Sequence, residues 1–254
     1  MAITLPILQH IYFRSIAMSM KINSLLILLL LTQISKAQSF KYPSAAEQGK
    51  TIKSLLPAQW KVIDSIKGDL NNDKVEDLAL VLEFYAAVKE SRAYGDSESE
   101  IVKELQKPRM LAVYFKQGKN YKLALQNNDF VLRSEEGGAM GDPLRPMSIS
   151  NNTLILNYEG GSGWKWKLNY AFKHVSGNWQ LINAVNCSYQ DGSEEMNKRE
   201  YDFLNKKRKV SIGVLDAQGN ADQAQVYALT GFKPRTLANF KKPWTWQIRP
   251  GEFL

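Results

Sequence analysis

The sequence predicts a mainly β protein, built of antiparallel sheets in a sandwich-like or partial-propeller-like arrangement with one short N-terminal helix. Three observations predict it. Hydrophobic residues alternate over 78–84 and again over 164–173, the period of strands. Turn-forming Ser, Gly, Asn and Asp punctuate those runs. A helical apolar stripe occurs before residue 57 and not in the strand runs that follow. The chain has 254 residues, 44% hydrophobic and 23% charged, which excludes a disordered tail or a collagen-like fibre. Its one cysteine excludes an internal disulfide.

The first 37 residues lack Asp and Glu and contain the unbroken apolar run Leu25–Leu31 behind Lys21. That run is too short for a membrane-spanning helix, which needs about 20 apolar residues. A basic start, a short apolar centre and Ser35-Lys36-Ala37 before Gln38 fit a cleavable secretory signal, with cleavage after Ala37. Translation from Met20 would place Lys21 directly after the initiator. The competing reading is an uncleaved anchor. With Arg14, Lys21 and Lys36 removed, 30 of the 33 basic residues face 25 acids, a formal charge of +5 for residues 38–254, read as a single domain. The clusters Lys206-Lys207-Arg208-Lys209 and Lys241-Lys242 read as solvated turns. Outside the cytosol they would meet anionic glycans or lipid headgroups rather than nucleic acid.

Ser44 to Leu56 reads as the helix, with Ser44 as cap, Ile52, Leu55 and Leu56 as its stripe and Pro57 as its end. Leu78, Leu80, Leu82 and Phe84 oppose Ala79, Val81 and Tyr85, so this strand is apolar on both faces and central. Tyr94–Leu105 reads as a charged loop with a short helix, and Leu111–Phe115 and Leu154–Tyr158 as strands. Trp164–Lys173 places Trp164, Trp166, Leu168, Tyr170 and Phe172 on a core face and lysines on the other. A turn at Ser176-Gly177-Asn178 returns the chain through Trp179–Cys187, with Trp179, Leu181, Val185 and Cys187 expected on one face. Val210–Leu215 is a further strand. Trp164 and Trp166 read as core, and Trp244 and Trp246 as possible ligand platforms.

The segment Gly68-Asp69-Leu70-Asn71-Asn72-Asp73-Lys74-Val75-Glu76-Asp77 carries the chemistry. Oxygen donors recur at Asp69, Asn71, Asp73 and Asp77, and the carbonyl of Val75 falls between them. Ca2+ is a hard cation that takes six to eight oxygens in flexible geometry. Carboxylates crowded in one turn without a cation repel one another, and a divalent ion is the simplest remedy. An EF-hand would need Glu where Leu80 stands, and a helix where the chain alternates.

The segment resembles the FG-GAP/VCBS-type calcium loop of integrin-like propellers and of many secreted bacterial proteins. The resemblance covers fifteen to twenty residues, in one copy, so no propeller is inferred. It implies that Asp69, Asn71, Asp73, Val75 (through its backbone) and Asp77 hold the metal. The family usually has Gly at the positions of Asn72 and Lys74, where a left-handed backbone suits glycine; Asn tolerates that conformation better than Lys. A turn held only by Asp and Asn side-chain bonds is the alternative.

Other chemistry is sparse. His174, the one histidine after the signal, reads as an exposed turn residue, and Ser162 lies in no Gly-x-Ser-x-Gly elbow. Cys187 reads as a buried inert thiol. Glu135, Glu136, Asp142 and Glu159 flank Gly-rich loops that could converge at one end of a sheet. The expectation is a secreted or periplasmic calcium-binding module, acting by binding an unidentified protein or an envelope glycan, without catalysis. The rivals are a secreted glycan hydrolase using those four carboxylates, and an envelope inhibitor protein.

Overall fold

The computed structural model describes residues 40–93, 101–190, 192–193, 195–215, 221–233 and 235–254. The segment read from the sequence as a secretory signal lies outside the described residues. Phe40–Leu254 form one compact unit. The chain is mainly β and its sheets are antiparallel, as the alternation predicts. Among the described residues no helix is long and apolar enough to cross a membrane.

The N-terminal helix is shorter and later than its sequence stripe. Ser44 does not cap it. Residues 40–46 form no helix, and strand β1 (Gln48–Gly49) pairs with β7 (Asn120–Asn127). Only one turn, α1 (Ile52–Leu55), is helical, and Thr51 caps it, exchanging side-chain and backbone bonds with Ser54. One turn cannot hold itself in water; burial of Leu55 against the sheet fixes it.

The first sheet adds β2 (Trp60–Gly68), β3 (Asp77–Phe84) and β6 (Arg109–Gln117), in the order β1-β7-β6-β3-β2. β3 lies between β2 and β6 and is buried on both faces, as its uninterrupted apolar run requires. Leu78, Leu80, Leu82, Met110 and Tyr114 pack under the N-terminal segment with Trp60, Phe40 and Tyr42. Ala79, Val81, Leu111 and Val113 face the second sheet. Between β3 and β6 a separate hairpin forms from β4 (Val88–Ala93) and β5 (Ile101–Gln106). The loop-and-helix reading of 94–105 therefore gives way to a strand over 101–105, while 94–100 lie outside the described residues.

The second sheet contains β8 (Leu144–Ser150), β9 (Thr153–Gly161), β10 (Trp164–Val175), β11 (Asn178–Gln190), β12 (Glu195–Asp202), β13 (Lys207–Leu215) and β14 (Ala221–Ala228), ordered β14 to β8 as a meander. Its inner face supplies Leu154, Leu156, Tyr158, Leu168, Tyr170, Phe172, Leu181 and Tyr201 to the core shared with the first sheet. Phe130 stands edge-on to Tyr170, Phe172 and Phe240 at its centre. A C-terminal hairpin, β15 (Gln247–Arg249) with β16 (Glu252–Phe253), belongs to this layer: Glu252 accepts from Tyr201 Oη at 2.6 Å and Arg208 Nη1 at 2.7 Å.

A bulge changes the expected face of β11. Phe172 pairs with Leu181 and Ala171 with Asn183, so Ile182 is the extra residue. An inserted residue inverts the alternation beyond it. Trp179 and Leu181 point inward, whereas Val185 and Cys187 lie on the outer face opposite Asn169 and Lys167. Cys187 is half-buried there rather than in the core, and burial pushes its thiol up despite Lys198 and Lys167 nearby. The tryptophans also exchange roles. Trp164, at the start of β10, is 53% exposed, while Trp246 is buried against Phe203. Trp166 stands edge-on to Trp244 at 4.7 Å. His174 is not an exposed turn residue: its ring lies half-buried between Phe115 and Trp179.

Candidate metal loop and the loop carboxylates

The loop connecting β2 to β3 folds on its own side chains. Asp69 accepts at Oδ1 from the amides of Asn72 (2.7 Å) and Asp73 (3.2 Å), and at Oδ2 from Lys74 (2.9 Å). Asp73 Oδ1 accepts from the Val75 amide at 2.8 Å, and its Oδ2 from Asn71 Nδ2 at 3.0 Å. Asn71 Oδ1 accepts from the Asp73 amide at 3.0 Å. Asn72 and Lys74 both adopt φ of 67°, the left-handed backbone that glycine favours. The loop thus brings Asp69, Asn71 and Asp73 onto one short turn. Asn152 Nδ2 ties that turn to the second sheet by donating to the Asp69 carbonyl at 2.9 Å.

Asp77 stands apart from the exposed part of the loop. It is fully buried at the first position of β3, accepting from the amides of Leu70 (2.9 Å) and Lys116 (2.9 Å). Burial raises its carboxyl, with Asp73 and Asp69 adding to the rise and the two amides opposing it. Burial also pushes Asp69 up, but the three loop amides outweigh it and hold that carboxyl below its ordinary range. Val75 is 43% exposed, consistent with a position at the loop surface. Among the described residues, no three His, Cys, Asp or Glu side chains form a ready-made metal cage. The donor set named from the sequence draws also on the Asn71 amide oxygen and the Val75 carbonyl. Hard oxygen donors of this kind on one turn fit a calcium ion.

The Gly-rich loops do converge. Glu136 sits in two short 3-10 turns, Ser134–Met140, that meet at Gly138. Gly137 approaches Gly160 so closely that a Cβ on Gly160 would lie 2.7 Å from the Gly137 carbonyl oxygen and 2.3 Å from the Trp166 ring. No side chain fits there. The four carboxylates around this contact differ in their partners. Glu135 is exposed and accepts from Ser134 Oγ. Glu136 is buried between Lys242 Nζ at 2.7 Å and Arg92 Nη2 at 3.2 Å. Asp142 is clamped by Arg109, and Glu159 accepts from Tyr189 Oη at 2.8 Å and pairs with Lys167 and Arg145. Burial raises each of the last three, yet the neighbouring cations and hydrogen-bond donors win and hold all three below the ordinary carboxylate range. A glycosidase acid must instead keep its proton near neutral pH.

The sequence did not indicate the polar network under these loops. Arg133 is completely buried. Its Nε and Nη2 donate to the two Glu90 oxygens at 2.9 and 3.0 Å, and Tyr42 donates to Glu90 and accepts from Arg133. Arg109, also buried, donates to Glu83 at 2.8 and 3.0 Å, to the Leu132 carbonyl at 2.9 Å and to Asp142. Burial lowers both guanidinium groups, but their paired carboxylates reverse that effect. No known protein family, curated protein or solved structure matches the chain.

Proposed function

We propose that the protein is an exported, calcium-binding β module that acts in the envelope or outside the cell by binding rather than by catalysis. The observation that carries this reading is the 69–77 loop, in which Asp69, Asn71 and Asp73 share one turn and Asn72 and Lys74 hold left-handed backbone. That is the conformation the FG-GAP/VCBS-type resemblance requires at the positions where that family has glycine. Calcium would replace the Asn71–Asp73 side-chain bond as the link across the turn and would brace the entry to β3, where Asp77 is buried. Ion-paired carboxylates at Glu136, Asp142 and Glu159 favour this reading over a glycan hydrolase.

The test is thermal melting of protein stripped with EDTA and then supplied with calcium. If the dissociation constant is ~0.1 mM, as in weak extracellular modules, then ~1 mM calcium stabilises the fold by about 1.4 kcal/mol. The melting temperature then rises by a few degrees. Asp73→Ala abolishes the rise. Identical melting with and without calcium after stripping would reject the reading.

A further inference from the structure

We infer that the outer face of the seven-stranded sheet is a docking surface for an anionic polysaccharide. The inference deepens the binding role proposed above and rests on it only for the compartment. Register and core packing define the face. On β10, Leu168, Tyr170 and Phe172 turn into the core, so Lys165, Lys167 and Lys173 turn outward. The pairing then places Arg145 of β8, through Asn157, and Lys198 of β12, through Cys187, on the same side. Lys207 and Lys209 of β13 join them opposite Asp202 and Glu200.

Apart from Lys165, which has a partner of its own, six of these cations meet three carboxylates among the described side chains of the face, Glu159, Glu200 and Asp202. Within the face the carboxylates are shared. Glu159 lies 3.3 Å from Lys167 and 3.4 Å from Arg145, and Glu200 lies 2.9 Å from Lys198 and 3.9 Å from Lys209. Two cations on one carboxylate leave one positive charge without compensation at each place. Exposed pairs of this kind add little stability, so folding alone does not account for the arrangement.

The groups between the cations select the partner. Asn157, Asn169 and Asn183 alternate with them, and Asn157, Asn169, Arg145, Glu159 and Lys167 line a shallow depression of about 260 Å³. Amides and cations together suit hydroxyl-rich chains that carry carboxylate or sulfate. A membrane surface would call for protruding Trp, Phe or Leu side chains beside the lysines; the exposed apolar side chains on this face are the smaller Val175 and Val226, and the exposed Trp164 lies on the other side of its strand. Lys167 and Lys198 stand two strands apart, about 10 Å at ordinary strand spacing, so an extended polymer laid across the strands meets both.

The experiment titrates the calcium-loaded protein with dextran sulfate, with neutral dextran and with phosphatidylglycerol vesicles. Dextran sulfate binds, neutral dextran does not, and raising the salt from 0.1 to 0.5 M weakens the complex at least tenfold. Lys167→Glu combined with Lys198→Glu weakens it at least tenfold, while Lys119→Glu combined with Lys122→Glu, on the other sheet, changes it less than twofold. Melting curves verify folding of each variant, and Lys207→Gln combined with Lys209→Gln repeats the test if the first pair fails to fold. Equal weakening by the control pair, equal binding of neutral dextran, or tighter binding to vesicles than to dextran sulfate overturns the inference. Asp73→Ala keeps the two readings apart: loss of the calcium-dependent melting shift leaves dextran sulfate binding intact, and failure of the polyanion test leaves the calcium shift in place.

Discussion

The 69–77 loop and the Arg109–Arg133 network hold comparable numbers of charged groups and handle them in opposite ways. In the loop most bonds join residues within seven positions of each other, with Lys116 on Asp77 and Asn152 on the Asp69 carbonyl as the long-range exceptions; the donors are mostly backbone amides, and much of the turn is exposed. In the network the partners come from distant segments: Glu83 to Arg109, Glu90 to Arg133, and Glu136 to Lys242 across 106 residues. The loop compensates its carboxylates with amides that any sequence possesses. The network compensates buried guanidinium groups with particular carboxylates, and each member depends on its partner remaining in place. A locally satisfied site tolerates the loss of one side chain; a dry, long-range one does not.

The largest expected effect tests that difference. Arg133→Ala leaves the buried Glu90 and the half-buried Tyr42 without their shared cation, and breaking a buried ion pair from one side costs ~3–5 kcal/mol. Arg109→Ala, which leaves Glu83 with Lys61 as its one remaining cation and the half-exposed Asp142 to solvent, falls in the lower part of that range. Either variant lowers the urea midpoint far more than Asp69→Ala does. If Asp69→Ala proves as damaging as Arg133→Ala, the distinction between the two regions collapses.

The same contrast explains what the sequence reveals. The strands over 78–84 and 164–173 announce themselves by alternation, and the central place of the first follows from its two apolar faces. The loop is visible because its donors recur within nine residues. The network is invisible because a lone Arg at 109 or 133 looks like any surface cation; the available signal was an Arg directly beside an apolar run, before Met110–Phe115 and after Phe130–Leu132. The β11 bulge is hidden for another reason: both parities of Trp179–Cys187 carry apolar residues, so the pattern cannot register an inserted Ile182. The exposed face of Trp164 likewise depends on where the sheet outruns the first layer, not on its alternation with Leu168.

Acid separates the regions by a smaller margin. Glu136 and Asp142 are held below their ordinary values of 4.5 and 3.8 by the cations around them. A depressed carboxyl contributes stability that is fully present above its unfolded value and is lost as pH falls through the folded one. The melting temperature therefore holds from pH 7 to about 5 and declines below roughly pH 4.5 as these groups begin to take up protons. Glu136→Gln lowers stability at neutral pH and flattens the acid decline, because the variant no longer takes up that proton. An acid profile identical to that of the parent would remove Glu136 from the network's energetics.

The smallest effect concerns the loop backbone. Lys74 holds φ at 67° while its amide donates to Asp69. A left-handed residue with a Cβ costs roughly 1–2 kcal/mol, and glycine escapes that cost but loses more chain entropy on folding, by about 0.5–1 kcal/mol. Lys74→Gly keeps the amide donor and should stabilise the protein by about 0.5–1 kcal/mol, a rise of a few degrees at most in melting temperature. Asn72→Gly should gain less, because asparagine already tolerates this conformation. The ordering matters more than the size. If Asn72→Gly exceeds Lys74→Gly, strain is not concentrated at Lys74, and the departure from glycine there does not weaken the loop.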